Sequence, residues 1–183
     1  MNQKMAFSIL QDVKRVFNTI GLDFWLNLGT VLGLHRDNKF IDLPGEDIDI
    51  GTIFEGGTSA LPQHLKNIGF NMQEVRTLDN RLVHISTNRD GIHVCFDIYH
   101  QYPENKFFYF TESYVYYFFH PVTLVSNKYS IKLKGEFFPI PGPEVLYLEF
   151  QYGPNWRTPL KKMVPAHLSH TKESIVVKEG AKL

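Results

Sequence analysis

The sequence predicts an α+β domain, a mixed β-sheet flanked by helices, and three observations carry that expectation. Residues 3–20 repeat apolar side chains at helical spacing. Residues 23–35 read as a strand, a Gly-polar turn and a helix. Residues 70–138 are rich in β-branched and aromatic side chains and precede a last helical segment at 144–152.

In the first segment Ile9, Leu10, Val13, Val16, Phe17 and Ile20 fall on one helical face, and Gly21 is a natural stop. Residues 23–28 form a short apolar strand, Gly29-Thr30 the turn, and residues 31–35 the start of a helix. Such a strand, turn and helix N-terminus presents backbone N–H groups to a phosphate. After a Gly-rich loop at 55–59, residues 61–68 suit a short helix stopped by Gly69, and residues 70–77 a strand. Asp79-Asn80 is a turn signal, residues 81–87 a further strand, and Asn88-Arg89-Asp90-Gly91 a strong hairpin signal before a strand at 92–99. Residues 107–125 read as strands with a hairpin around 111–113, and residues 128–138 continue in β style with a turn at Gly135-Glu136. Residues 139–143 are Pro-rich and extended. Residues 144–152 then make a helix with Pro143 near its start and Gly153 at its end, and Trp156 packs that helix onto the sheet.

At 183 residues the chain is long enough for one well-filled core, expected over residues 1–165, with a polar, loosely ordered tail at 166–183. The formal net charge is zero, so nothing suggests bulk attraction to nucleic acid. No apolar run approaches the ~20 residues of a membrane helix, so no integral membrane segment is expected. Cys95 is the single cysteine, which excludes an intrachain disulfide and a Cys-based zinc site and fits a cytoplasmic location. His84, His93 and His100 stand nine and seven positions apart, unlike the close pairs of zinc sites.

The chemistry concentrates in Asp47-Ile48-Asp49-Ile50. On a strand, Asp47 and Asp49 project to one face and the isoleucines to the other. Paired carboxylates repel unless a cation lies between them, and Mg²⁺ or Mn²⁺ prefers such oxygens, often shared with a substrate phosphate. The same alternation also describes a half-buried strand with its polar face in water. Asp97 lies between Phe96 and Ile98, so its carboxylate needs a partner: a metal, an Arg or a backbone amide. Arg36 has the geometry to clamp a phosphate, with His35 and Lys39 beside it. A polar helix end facing water would read the same way.

These pieces occur in an order that resembles the LicD/fukutin family: Gly29-Thr30-x-Leu32-Gly33, His35-Arg36, Phe40-Ile41, then Asp47-Ile48-Asp49-Ile50. Asp97, in His93-Val94-Cys95-Phe96-Asp97-Ile98-Tyr99, matches the later strand that supplies the third acid of that fold. Residues 137–159 resemble the family's closing segment, a proline-led helix ending in Tyr152-Gly153 and a later Pro. The likeness spans residues 21–159. It implies a nucleotidyltransferase-like fold in which Asp47, Asp49 and Asp97 hold Mg²⁺ or Mn²⁺. Gly29, Thr30, Arg36 and Lys39 would contact substrate phosphate, and Asp47, Asp49, Asp97 and Arg36 would carry the chemistry.

The activity so implied moves a phosphorylated alcohol, such as phosphocholine or ribitol phosphate, from a CDP-linked alcohol donor to a glycan acceptor, releasing CMP. A homo-oligomer or partner protein would assist acceptor recognition. The chain departs from the family at Pro44 and Gly45, where members carry an aromatic and an acid. Two other readings therefore stand beside the first: a nucleotidyltransferase moving NMP from an NTP, and a catalytically silent scaffold of the same fold.

Overall fold

The computed structural model describes residues 1–42, 47–53, 56–76, 82–102, 106–111, 114–121, 125 and 128–159. The expectations for the Asp79-Asn80 turn, for positions 44–45 and for the tail lie outside these residues.

Helix α1 (Gln3–Ile20) forms as its periodicity predicts. Asn2 caps it, accepting from the N–H groups of Lys4 and Met5, and Gly21 ends it at φ 68°. Strand β1 (Phe24–Leu26) leads into α2 (Leu28–Asp37), which begins one turn earlier than the sequence implies. Gly29 and Thr30 are therefore the first turn of the helix rather than a loop before it. Leu28 makes the early start possible by adopting φ 37°. Strand β2 (Ile48–Ile53) follows, then a 3₁₀ turn (Gly56–Ala60), α3 (Leu61–Asn67), β3 (Asn71–Arg76), β4 (Leu82–Arg89) and β5 (Ile92–Tyr102). The β4–β5 turn has Asp90 and Gly91 at φ 54° and 77°, the left-handed pair a two-residue hairpin demands. Strands β6 (Lys106–Thr111) and β7 (Tyr114–Pro121) pair as a hairpin beyond β5. Strands β8 (Lys128–Leu133) and β9 (Glu136–Pro141) form a separate ribbon leading to α4 (Glu144–Tyr152).

The main sheet runs β1-β2-β5-β4-β3, with β6 and β7 attached to β5. Strand β2 lies parallel to β5 and antiparallel to β1, and β4 lies antiparallel to both β3 and β5, so the sheet is mixed. One face is apolar: Ile48, Ile50, Val94, Phe96 and Ile98 meet α1, where Phe17 stacks on Phe96 with ring centroids 6.1 Å apart. Burial of this face supplies the main driving force of the fold. Helices α2 and α4 join the same core through Val31, Leu32 and Leu34 and through Tyr147 and Leu148. Trp156 is buried in that same core, and its ring also meets His35 of α2 at 5.4 Å. Among the described residues no helix is long and apolar enough to cross a membrane.

Candidate functional site

The opposite face of the same strands carries the acids. Because side chains alternate, Ile48 and Ile50 entering the core sends Asp47 and Asp49 to the other side. The parallel register sets Asp49 beside Cys95 and Gly51 beside Asp97, while His84 of β4 sits across from Asp97. Strand order thus brings Asp97 next to the Asp47/Asp49 pair, a juxtaposition the local sequence leaves undetermined.

Each carboxylate is held. The Oδ2 of Asp49 accepts from the Thr30 N–H at 3.3 Å, and the Asp49 N–H donates to Thr30 Oγ1 at 2.7 Å. The first turn of α2 therefore grips β2 at the acid itself. Asp97 Oδ2 accepts from Asn27 Nδ2 at 2.9 Å, and its Oδ1 lies 3.1 Å from His84 Nδ1. The Cys95 thiol donates to Asp47 Oδ2 at 2.9 Å. Burial, followed by the charges of Asp47 and Asp49, holds that thiol protonated, far above its ordinary value. Asp49 and Asp97 also help to raise the Tyr147 hydroxyl, after its burial, so these charges share one field. Among the described residues no Lys or Arg forms an ion pair with Asp47 or Asp97.

The other candidates lie apart from this cluster. Arg36 is near the far end of α2, six residues past Thr30 or about 9 Å along the axis. There its Nη2 pairs with Asp37 at 2.7 Å and holds that carboxyl below its usual range. Its Nη1 is buried with no hydrogen-bond partner among the described residues. Lys39 is exposed just beyond the helix. Of the three histidines only His84 joins the acids: His100 binds the Leu82 carbonyl at 2.8 Å and His93 is exposed. Sequence reasoning missed Asn27 and Tyr147, both fully buried and both hydrogen-bonded within the site. The available signal for Tyr147 was a tyrosine on the apolar face of α4, whose hydroxyl must find a partner.

A cleft of about 750 Å³ between α1, α3 and the β4–β5 turn is lined by Asp12, Arg15, His64 and Arg89, among others. It lies on the far side of the sheet from the carboxylates. Its charges are already matched, since Asp12 pairs with both Arg15 and Arg89. It is not the candidate site.

Among the described residues no three of His, Cys, Asp and Glu form a ready-made metal cage. The donor chemistry nevertheless fits a hard divalent ion. Mg²⁺ is commonly held by one or two carboxylates together with substrate phosphate rather than by an all-protein cage.

Burial raises Asp47 above its ordinary value; the thiol bond partly offsets this and the Asp97 charge adds to it. A carboxyl that binds its proton more tightly when folded loses stability as pH climbs from the unfolded value of 3.8 through the raised folded value. Above that window the cost is fully present. Asp47→Asn should therefore melt at a higher temperature than wild type at pH 7 in EDTA, with the gap closing toward pH 4. Equal melting curves at pH 7 would contradict the burial argument.

By sequence, no protein-family model and no curated protein matches the chain. By structure it is similar to the lincosamide antibiotic adenylyltransferase LnuA, solved with lincomycin bound. The TM-score is 0.52 at 13% identity, over 80% of this chain and 85% of that one. ANT(2")-Ia, solved with adenylyl-2"-tobramycin, aligns at TM-score 0.38 and 13% identity over 53% of this chain and 51% of its own. A Thermotoga maritima protein described as a nucleotidyltransferase aligns at 0.45 and 16% identity, over 76% and 81%. The mixed sheet flanked by helices is a nucleotidyltransferase-like fold.

Proposed function

We propose that the chain is a metal-dependent nucleotidyltransferase that moves NMP from an NTP to an acceptor hydroxyl. The observation that carries the reading is the row of Asp47, Asp49 and Asp97 on one sheet face, anchored to the first turn of α2. The likeness to an adenylyltransferase supports NMP transfer as the reaction class. Asp47, Asp49 and Asp97 would hold Mg²⁺ or Mn²⁺, which when bound neutralises charge on the donor phosphates and polarises the reacting phosphorus. Thr30 holds Asp49 in place. The first turn of α2, at Gly29, would present its N–H groups to the phosphates, whereas Arg36 and Lys39 at the other end of α2 stand too far from the acids to share that contact. An acceptor hydroxyl attacks the α-phosphorus in line. Its proton passes to Asp97, and pyrophosphate leaves.

A second reading, phosphoalcohol transfer from a CDP-linked donor to a glycan, has one observation of its own. The closing segment that resembles the LicD/fukutin family supplies Tyr147, which bonds to Leu28 and Asn27 beside the acids. That likeness rests on the ordered motifs alone, and Gly45 weakens it.

The test is calorimetric titration of ATP, CTP and CDP, with and without Mg²⁺ or Mn²⁺, followed by product analysis with candidate acceptors. Metal-dependent binding with pyrophosphate release is expected. Release of CMP from a CDP-alcohol would favour the second reading. Binding of neither metal nor nucleotide would overturn both and leave a silent scaffold.

A further inference from the structure

Asn27 occupies the N-cap of α2, yet its side chain makes no capping bond. An Asn there ordinarily accepts from its own helix. This one is fully buried and turned toward the site, where Nδ2 donates to Asp97 Oδ2 at 2.9 Å and lies 3.1 Å from the Tyr99 hydroxyl. Its Oδ1 accepts from the Tyr147 hydroxyl at 2.5 Å, and that hydroxyl in turn accepts from the Leu28 N–H at 3.1 Å. The direction of the chain is fixed at both ends. A backbone N–H can only donate, and an ionised carboxylate can only accept, so the amide nitrogen must face Asp97. The next residue, Leu28, sits at φ 37°, in a region that a branched side chain adopts at a cost. A forgone cap and a strained residue, side by side, break local rules where a site requires them.

We infer that Asn27 and Tyr147 are positioning residues that orient the Asp97 carboxylate for divalent-ion binding, an inference that rests on the metal-dependent reading above. With Oδ2 held by Asn27 and Oδ1 against His84, Asp97 cannot rotate freely. Its remaining lone pairs keep a fixed direction relative to Asp49 on the neighbouring strand. The hydroxyl of Tyr147 connects this orientation to α4, so the closing helix takes part in the site without supplying a ligand. Groups that orient a metal ligand commonly set its affinity as strongly as a weak ligand does.

The test measures Mn²⁺ affinity of the full chain by calorimetry, with Mn²⁺ alone and with ATP or CTP, alongside the melting temperature. Tyr147→Phe, which removes only the hydroxyl, should weaken Mn²⁺ binding by about 10-fold. Asn27→Ser should weaken it at least as much, and provides the measurement if the first variant does not fold. Leu148→Ala, at a fully buried neighbour on α4, should lower the melting temperature while leaving Mn²⁺ affinity unchanged. Wild-type affinity in Tyr147→Phe, or an equal loss of affinity in Leu148→Ala, would overturn the inference. No Mn²⁺ binding by wild type would instead overturn the metal-dependent reading, and this inference with it.

Discussion

Asp49→Asn should lower transfer by about 100- to 1,000-fold and remove most Mn²⁺ binding, while the protein stays folded. The expectation follows from what the substitution keeps and what it deletes. Asp49 is 8% exposed and locked to Thr30 at two points. One of those bonds uses the Asp49 backbone N–H, which no substitution here disturbs. The other needs only an acceptor oxygen, which an amide of the same shape still offers. The lost feature is the negative charge beside Asp97, and a divalent ion depends on that charge far more than the fold does. Asp90→Asn makes a useful comparison, because it deletes the same charge at the β4–β5 turn on the far side of the sheet. It should leave both rate and Mn²⁺ affinity at the wild-type level. Steady-state kinetics and Mn²⁺ titration on the two variants settle the matter. Unaltered Mn²⁺ affinity in Asp49→Asn would remove Asp49 from the site.

How much of this was legible in the sequence depends on the range of the interaction. Helix α1 was legible over its whole length because its apolar stripe and its Gly21 stop are local signals. The Asp90-Gly91 turn was legible for the same reason. The facing of Asp47 and Asp49 followed from strand alternation alone. The start of α2 was not legible, since it depends on Leu28 accepting a positive φ, a choice that its contact with Tyr147, far along the chain, helps to hold. Asp97 was recognised as a carboxylate needing a partner, but its neighbours come from strand order: β5 returns beside β2 only after α3, β3 and β4 have intervened. His84, which its spacing from the other histidines did not single out, is buried against Asp97 for that same topological reason. Asn27 fell inside the apolar strand expected at 23–28, and only tertiary structure reveals that it stands at the N-cap of α2 with its amide turned to Asp97.

Gly51→Ala should destabilise the protein by about 1–3 kcal/mol through overpacking. For a chain of this length that corresponds to a fall in melting temperature of about 2–12 °C. Gly51 is buried in β2 between Trp25 on one side and Asp97 on the other. A methyl group there would stand 2.3 Å from Trp25 Nε1 and 2.4 Å from Cε2, well inside contact distance. The indole has little room to retreat. It is fully buried, packs on Tyr99 at a centroid distance of 5.2 Å, and belongs to a small cluster with Val125. Whatever movement relieves the clash must displace the ring or push β2 away from β1. Displacing the ring disturbs Tyr99, whose hydroxyl lies 3.1 Å from the Asn27 amide that holds Asp97. The substitution should therefore weaken Mn²⁺ binding as well as stability, although residue 51 touches no metal. Combining Gly51→Ala with Trp25→Leu separates the two causes. If the clash is the source, the double variant should be more stable than the sum of the single effects predicts, because the smaller side chain vacates the space the methyl enters. Additive losses would show that the sheet yields elsewhere and that the indole does not govern this position.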